Sequence, residues 1–190
     1  MLISAYGFLP IEPLGFKINT VDMRNVDIIN SSSRDVTEGA MPPEAFPSPS
    51  LTTGLQVLEA IRDGRMPGSS ISQTMPMQLT HVGSGEVAIM AMPDTRHMNP
   101  SGMVHGGFAA TCIDSAAALA LFSSLDATTP YSTVDLNITY VRPLAQNIQY
   151  VVTGRLKERT KSLGLCSAEI RDVNDKLYAL GSATLMIKAN

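Results

Sequence analysis

Cysteine is scarce in this chain: Cys112 and Cys166 are the only two in 190 residues. They give no disulfide framework and no thiolate cluster at metal spacing, and both lie in apolar runs where a cysteine reads as a small buried hydrophobe. Clusters of positive charge are missing too. The net charge is −3 and the sequence pI ≈ 5.5, and Lys and Arg gather nowhere, which argues against nucleic acid as a partner. The opening stretch MLISAYGFLPIEPLGFKI lacks a basic start and is broken by Pro10 and Pro13, so it does not read as a secretory signal. No stretch reaches the roughly 18 uninterrupted apolar residues that a bilayer span requires. The cytoplasm is the expected compartment, with no membrane partner. His81 and His97 have no second ligand at metal spacing, so neither a metal nor a cofactor is expected. The eleven methionines, Met75, Met77, Met90 and Met92 among them, fall on strand and turn positions and read as adaptable core, not as a copper site.

What is present divides at about residue 47. Residues 1–47 carry no sustained period and end in the Pro-rich linker EGAMPPEAFPSPS. Their apolar residues, such as Tyr6, Phe8, Leu9 and Phe16, suit either an arm docked on a neighbouring surface or a mobile tail. Residues 48–190 form the expected domain. Thr52 or Thr53 caps a helix running to about Asp63, with Leu55, Leu58 and Ile61 on one face. After a PGSS turn, Met75 to His81 and Glu86 to Met92 read as a hairpin bent at Gly83 and Gly85. Beyond a central apolar stretch come four more strands: Thr133 to Arg142, Ile148 to Lys157, Leu163 to Arg171 and Leu177 to Ile187. In the first of these, alternation places Val134, Leu136, Ile138 and Tyr140 on one face. Short turns make consecutive strands antiparallel, and no internal repeat is visible. The expected architecture is α+β, an antiparallel sheet packed on one long buried helix.

That helix is predicted from about Gly107 to about Ser124. Its apolar residues lie on every side, which signals burial all round, and its six alanines make it thin enough for a sheet to wrap closely. It opens with the pair Gly106-Gly107, preceded by His105 and by a turn containing Asn99. Free N–H groups at a helix start attract anionic oxygen, and glycine lets a ligand approach the backbone. The same residues also suit a plain tight turn with His105 as a satisfied core side chain. Asp114 tightens the case, since a carboxylate in so apolar a helix needs partners. It lies about 12 Å beyond Gly106 along the axis, at roughly 1.5 Å per residue. One reacting atom cannot touch both groups of a single chain. If both act on it, they come from two chains whose helices run antiparallel across a two-fold axis.

HMNPSGMVHGGFAATCIDSA, followed by STVDLNITYVRP, resembles the hotdog-fold acyl-CoA thioesterases of the phenylacetate-degradation (PaaI-like) type, within the hydroxybenzoyl-CoA thioesterase superfamily. The likeness covers about residues 52–188, including the Asn-x5-His-Gly-Gly-x6-Asp spacing, and leaves out the first 47. It implies a hotdog fold, a curved antiparallel sheet wrapped round the helix, and dimers that pair sheets edge to edge and usually assemble into homotetramers. It implies a hydrolase cleaving an acyl-CoA to free acid and coenzyme A. By the family pattern, Asn99 and His105 fix the turn and help polarise the thioester carbonyl. Gly106 supplies the oxyanion N–H, with Gly107 beside it at the substrate. Asp114 of the other subunit is base or nucleophile, and Thr133 positions the water. The turn Arg159-Thr160-Lys161-Ser162 is implied to lie near the coenzyme A phosphates. The acyl group, aromatic or fatty, stays open.

The chemistry suits so sparse a site. A thiol of pKa about 8.5 is a good leaving group, so what remains is to deliver water and stabilise the oxyanion. Two alternatives use the same fold: a non-catalytic acyl-CoA-binding module, and a hydratase or dehydratase of acyl thioesters. The first 47 residues are too Pro-rich and too poor in basic residues for the helix-turn-helix of a sensor, and the local motifs of the second are missing.

Overall fold

A computed structural model describes residues 51–188. The proposed division at residue 47, and the arm-or-tail alternative for the first 47 residues, lie outside the described residues. Two helices come first, α1 (Gly54–Arg62) and α2 (Ser70–Thr74), then strands β1 (Met77–Gly83) and β2 (Glu86–Ala91). The long helix α3 (Gly106–Phe122) follows, and then β3 (Tyr131–Tyr140), β4 (Tyr150–Arg159), β5 (Leu163–Asp172) and β6 (Leu177–Ile187). The strands form one sheet in the order β1-β2-β4-β5-β6-β3, antiparallel at every pairing. α3 carries the chain from β2 across the sheet to β3, which becomes an edge; β1 is the other edge.

Local chemistry explains where the elements start. Thr53 caps α1 in a reciprocal box: its hydroxyl accepts from the Gln56 N–H at 3.3 Å, and the Gln56 side-chain oxygen accepts from the Thr53 N–H at 3.2 Å. The PGSS turn is followed by a helical turn that its composition concealed, since α2 is five residues long and Ser72 bonds back to the Ser69 carbonyl. The β1–β2 bend holds Gly85 at φ +76, and its N–H donates to the Ser123 hydroxyl at 2.8 Å, tying the hairpin to the C-terminal end of α3.

α3 packs on one face of the sheet. Phe108, Ala109, Cys112, Ile113, Ala116, Ala117, Ala120 and Leu121 are buried there, and with Val87, Val152, Ile170 and Leu185 they make the core. Close approach depends on missing side chains: a Cβ at Gly154 of β4 would collide with the Ala116 carbonyl. Gly154→Ala is therefore expected to cost about 2–3 kcal/mol through overpacking against a backbone atom that cannot yield, read as a lower denaturant midpoint at unchanged slope. Cys112 and Cys166 are buried as expected, and burial pushes their thiols up to about 12 and about 11.

Two expectations need correction. The second face of α3, with Thr111, Asp114, Ser115, Ala118, Leu119 and Phe122, is only half-buried within one chain. A helix this uniformly apolar gives no pattern by which its open face could be told from its closed one. In β3, Val134 does not share a face with Leu136, Ile138 and Tyr140. Thr133 pairs with Leu185 and Asp135 with Thr184, so Val134 is an extra, bulged residue and is 55% exposed.

Candidate active site

The turn before α3 is built by Asn99. Its side-chain oxygen accepts from the N–H groups of Ser101 (2.9 Å) and Met103 (3.1 Å), while its own N–H donates to the Met103 carbonyl at 2.7 Å. Gly102 closes the loop at φ +74. The His105 N–H donates to the His97 carbonyl at 2.8 Å. His97 is itself buried, 8% exposed, with its ring edge-on to Phe108 at 4.9 Å. Its Nδ1 accepts from the Asp94 N–H at 3.0 Å, so its Nε2–H donates to the Thr74 carbonyl at 3.2 Å. His97 thus fastens the end of α2 to the start of α3, which is a structural use.

His105 is the N-cap of α3: its Nδ1 accepts from the Gly107 N–H at 2.8 Å. That bond consumes one of the two glycine donors. The Gly106 N–H has no acceptor among the described residues. One donor is left over at the positive end of a seventeen-residue helix. With Nδ1 accepting, the neutral His105 ring carries its proton on Nε2, and His105 is exposed. A hollow of about 200 Å³ opens here, walled by His105, Gly106, Tyr140, Arg142 and Leu144.

Asp114 sits at a different place. Thr133 donates its hydroxyl proton to Asp114 Oδ1 at 2.8 Å, and Asp114 Oδ2 has no donor among the described residues. The bulge at Val134 makes this contact possible. Thr133 and Leu136 are three positions apart and would face opposite ways on a regular strand; the extra residue turns both toward α3. Tyr131 completes this corner. Its ring stacks on Phe122 at 5.5 Å, and burial, followed by the nearby Asp114 charge, pushes its hydroxyl up to about 12. Asp114 lies on the wall of a cleft of about 910 Å³ between α1 and α3. The other walls are mainly aliphatic and aromatic, with Leu58, Ile61, Leu79, Ala118, Leu119 and Phe122 prominent.

Within one chain, then, the expected residues fall into two groups. Asn99, His105, Gly106 and Gly107 meet at the start of α3, and Asp114 and Thr133 meet at its middle. The two hollows share no lining residue. The turn expected near the phosphates lies past the other end of the helix. Arg159 donates from Nη1 to the Ser124 carbonyl, and the Thr160 hydroxyl accepts from the N–H groups of Ser162 (3.3 Å) and Leu163 (3.0 Å). Lys161 is exposed.

Two residues escaped the sequence reading. Tyr131 lay just before the expected strand and Tyr140 stood only as a strand residue, yet Tyr131 packs beside Asp114 and the Tyr140 hydroxyl donates to the Gly106 carbonyl at 3.3 Å. Residues 34 positions apart leave no local signal of such a contact.

A family model described as the thioesterase superfamily matches residues 101–179. Acyl-coenzyme A thioesterase 13 of Mus musculus is 33% identical over 92 residues, 48% of this chain and 65% of that protein, so the match spans just under two thirds of it. Its Homo sapiens namesake is 30% identical over 107 residues, 56% of this chain and 76% of that one. A phenylacetic acid degradation-related protein of Ralstonia eutropha superposes with TM-score 0.62 at 24% identity, covering 68% of this chain and 98% of its own. A Streptococcus mutans protein solved with acetyl-CoA superposes with TM-score 0.56 at 16% identity, covering 60% and 90%. The two superpositions carry the fold, the sequence matches the kinship: the chain belongs to the thioesterase superfamily and has the hotdog fold of its members.

Proposed function

We propose that the protein hydrolyses acyl-CoA thioesters at a site that two copies of the chain build together. The observation that carries this reading is the Gly106 N–H, without an acceptor among the described residues, at one helix level and the Asp114–Thr133 pair at another, about 12 Å apart along the same axis. Two antiparallel α3 helices about a two-fold axis set Gly106 of the partner subunit level with Asp114. Pairing β3 with the same strand of a second copy brings the helices together in that sense, because β3 is a ten-residue edge strand lying alongside α3. Two such dimers assemble into a tetramer.

In the proposed reaction the thioester carbonyl oxygen points at Gly106 N–H of the partner subunit, with the His105 ring beside it. Asp114 accepts a proton from water held with the Thr133 hydroxyl, and the hydroxide adds to the acyl carbon. The oxyanion collapses, the C–S bond breaks, and the coenzyme A thiolate leaves and takes up the proton. Asp114 lies on a half-open helix face in one chain, the face that the partner helix covers in the pair. The turn at Arg159–Lys161 lies past Ser124, about 15 Å along the axis from Asp114, a span of the order of an extended pantetheine arm. The relatives named acyl-CoA thioesterases and the acetyl-CoA held by the Streptococcus mutans protein support this substrate class.

The acyl chain occupies the cleft between α1 and α3. Its charged lining groups are few: Asp114, and Arg62, which is engaged by Asp63 at 2.8 Å. Thiol release from a series of straight-chain acyl-CoAs tests both statements. The expected kcat/KM rises about fourfold for each added methylene until the cleft is filled. Binding of acyl-CoA with no thiol released from any of them would make the protein a carrier and not an esterase.

A further inference from the structure

Tyr140 ends β3 directly over Gly106. Its hydroxyl donates to the Gly106 carbonyl at 3.3 Å, and its ring covers the glycine Cα so closely that an added Cβ would stand 3.4 Å from Cε1 and 3.6 Å from the hydroxyl oxygen. The peptide joining Gly106 to Gly107 is therefore pinned at both ends, its carbonyl by Tyr140 and its N–H by His105. The preceding peptide is fixed as well, since the His105 carbonyl accepts from the Phe108 N–H at 2.9 Å. The Gly106 N–H belongs to that same peptide, so its direction follows the His105 carbonyl, and Tyr140 steadies it by holding the next peptide across the Gly106 Cα.

We infer that Tyr140 is a positioning residue for the oxyanion donor. This rests on the thioesterase reading above and adds a residue that the chemistry does not itself call for. β3 then serves both halves of the site: Thr133 near its start holds Asp114, and Tyr140 at its end holds Gly106. The strand that joins the two copies is thereby the strand that sets the donor and the base. An oxyanion hole gains only from a donor aimed before the charge develops, so a loosened Gly106 weakens the transition state more than the bound substrate.

The test is Tyr140→Phe, which keeps the ring over Gly106 and removes the hydroxyl. The loss of one neutral hydrogen bond is expected to lower kcat about fivefold, with KM and thermal midpoint unchanged. The amide nitrogen of Gly107, in the same peptide group as the released carbonyl, is expected to shift in its NMR spectrum, a readout that needs no turnover. A fall in KM-type binding or in thermal midpoint without a fall in kcat assigns Tyr140 to packing and overturns the inference, as does an unmoved Gly107 resonance. Wild-type protein that releases no thiol defeats the thioesterase reading and any catalytic part for Tyr140 together. Active wild type with an equally active Tyr140→Phe variant defeats this inference alone.

Discussion

Asp114→Asn is expected to lower thioester hydrolysis by a factor of about 10² to 10⁴ while leaving the fold and the oligomer intact. The amide preserves the shape and the Oδ1 acceptor that Thr133 uses at 2.8 Å, so the corner of the structure loses no bond. What it loses is the capacity to take a proton from water, and a positioned general base is worth a factor in that range. Released thiol at saturating acyl-CoA measures the effect, and elution volume with thermal midpoint checks that only the chemistry has changed. Turnover at the wild-type rate would remove Asp114 from the reaction, whether as base or as nucleophile.

The second large effect concerns the division of the site between chains. Gly106→Pro deletes the donor at the position where proline is best tolerated: Gly106 is the first residue of α3, and His105 before it lies at φ −64, ψ 137, in the extended region that proline imposes on its neighbour. The ring must displace Tyr140 by a few tenths of an ångström, since a Cβ there already meets it at 3.4 Å. Alone, this variant is expected to lose about 10² to 10³ in kcat. Mixed with Asp114→Asn under conditions that exchange subunits, the two inactive proteins are expected to recover about a quarter of wild-type activity. About half the dimers are then mixed, and each mixed dimer has one site whose carboxylate and donor are both intact. A mixture no more active than its parents means that both groups act within one chain or not at all.

Much of this arrangement was readable beforehand, and the reasons differ by element. α1 was legible from Thr52 or Thr53 as a cap and from Leu55, Leu58 and Ile61 on one face, because both are local patterns; the structure selects Thr53 and adds Gln56 as the other half of its capping box. All six strands lie within two residues of their expected bounds, because alternation and turn residues are local too. The start of α3 was legible from the Gly106-Gly107 pair before a long apolar run, while the use of His105 as its cap, by a bond to the Gly107 N–H, is set by the structure. The separation of Gly106 from Asp114 followed from helical rise alone. Three things were not legible. The bulge at Val134 depends on how β3 pairs with β6, so the alternation in the sequence ran straight through it. The open face of α3 could not be told from the closed one while alanine occupied both. Tyr140 reaches Gly106 only because α3 spans the sheet before β3 returns along its edge.

The two borders of the sheet differ, and this sets how far the molecule can grow. β1 is seven residues long and is kinked where its register slips between Leu79 and His81, with exposed Thr80 and His81 at the kink. β3 is ten residues long, and its backbone groups on the outer side are unclaimed among the described residues. A ribbon that could add copies at both borders would elongate without limit, which is how fibres begin. Here the outer side of β3 is regular and β1 is irregular. In the proposed dimer, where β3 meets its two-fold mate, only the two kinked β1 margins would face outward, and end-to-end accretion would stop at the pair.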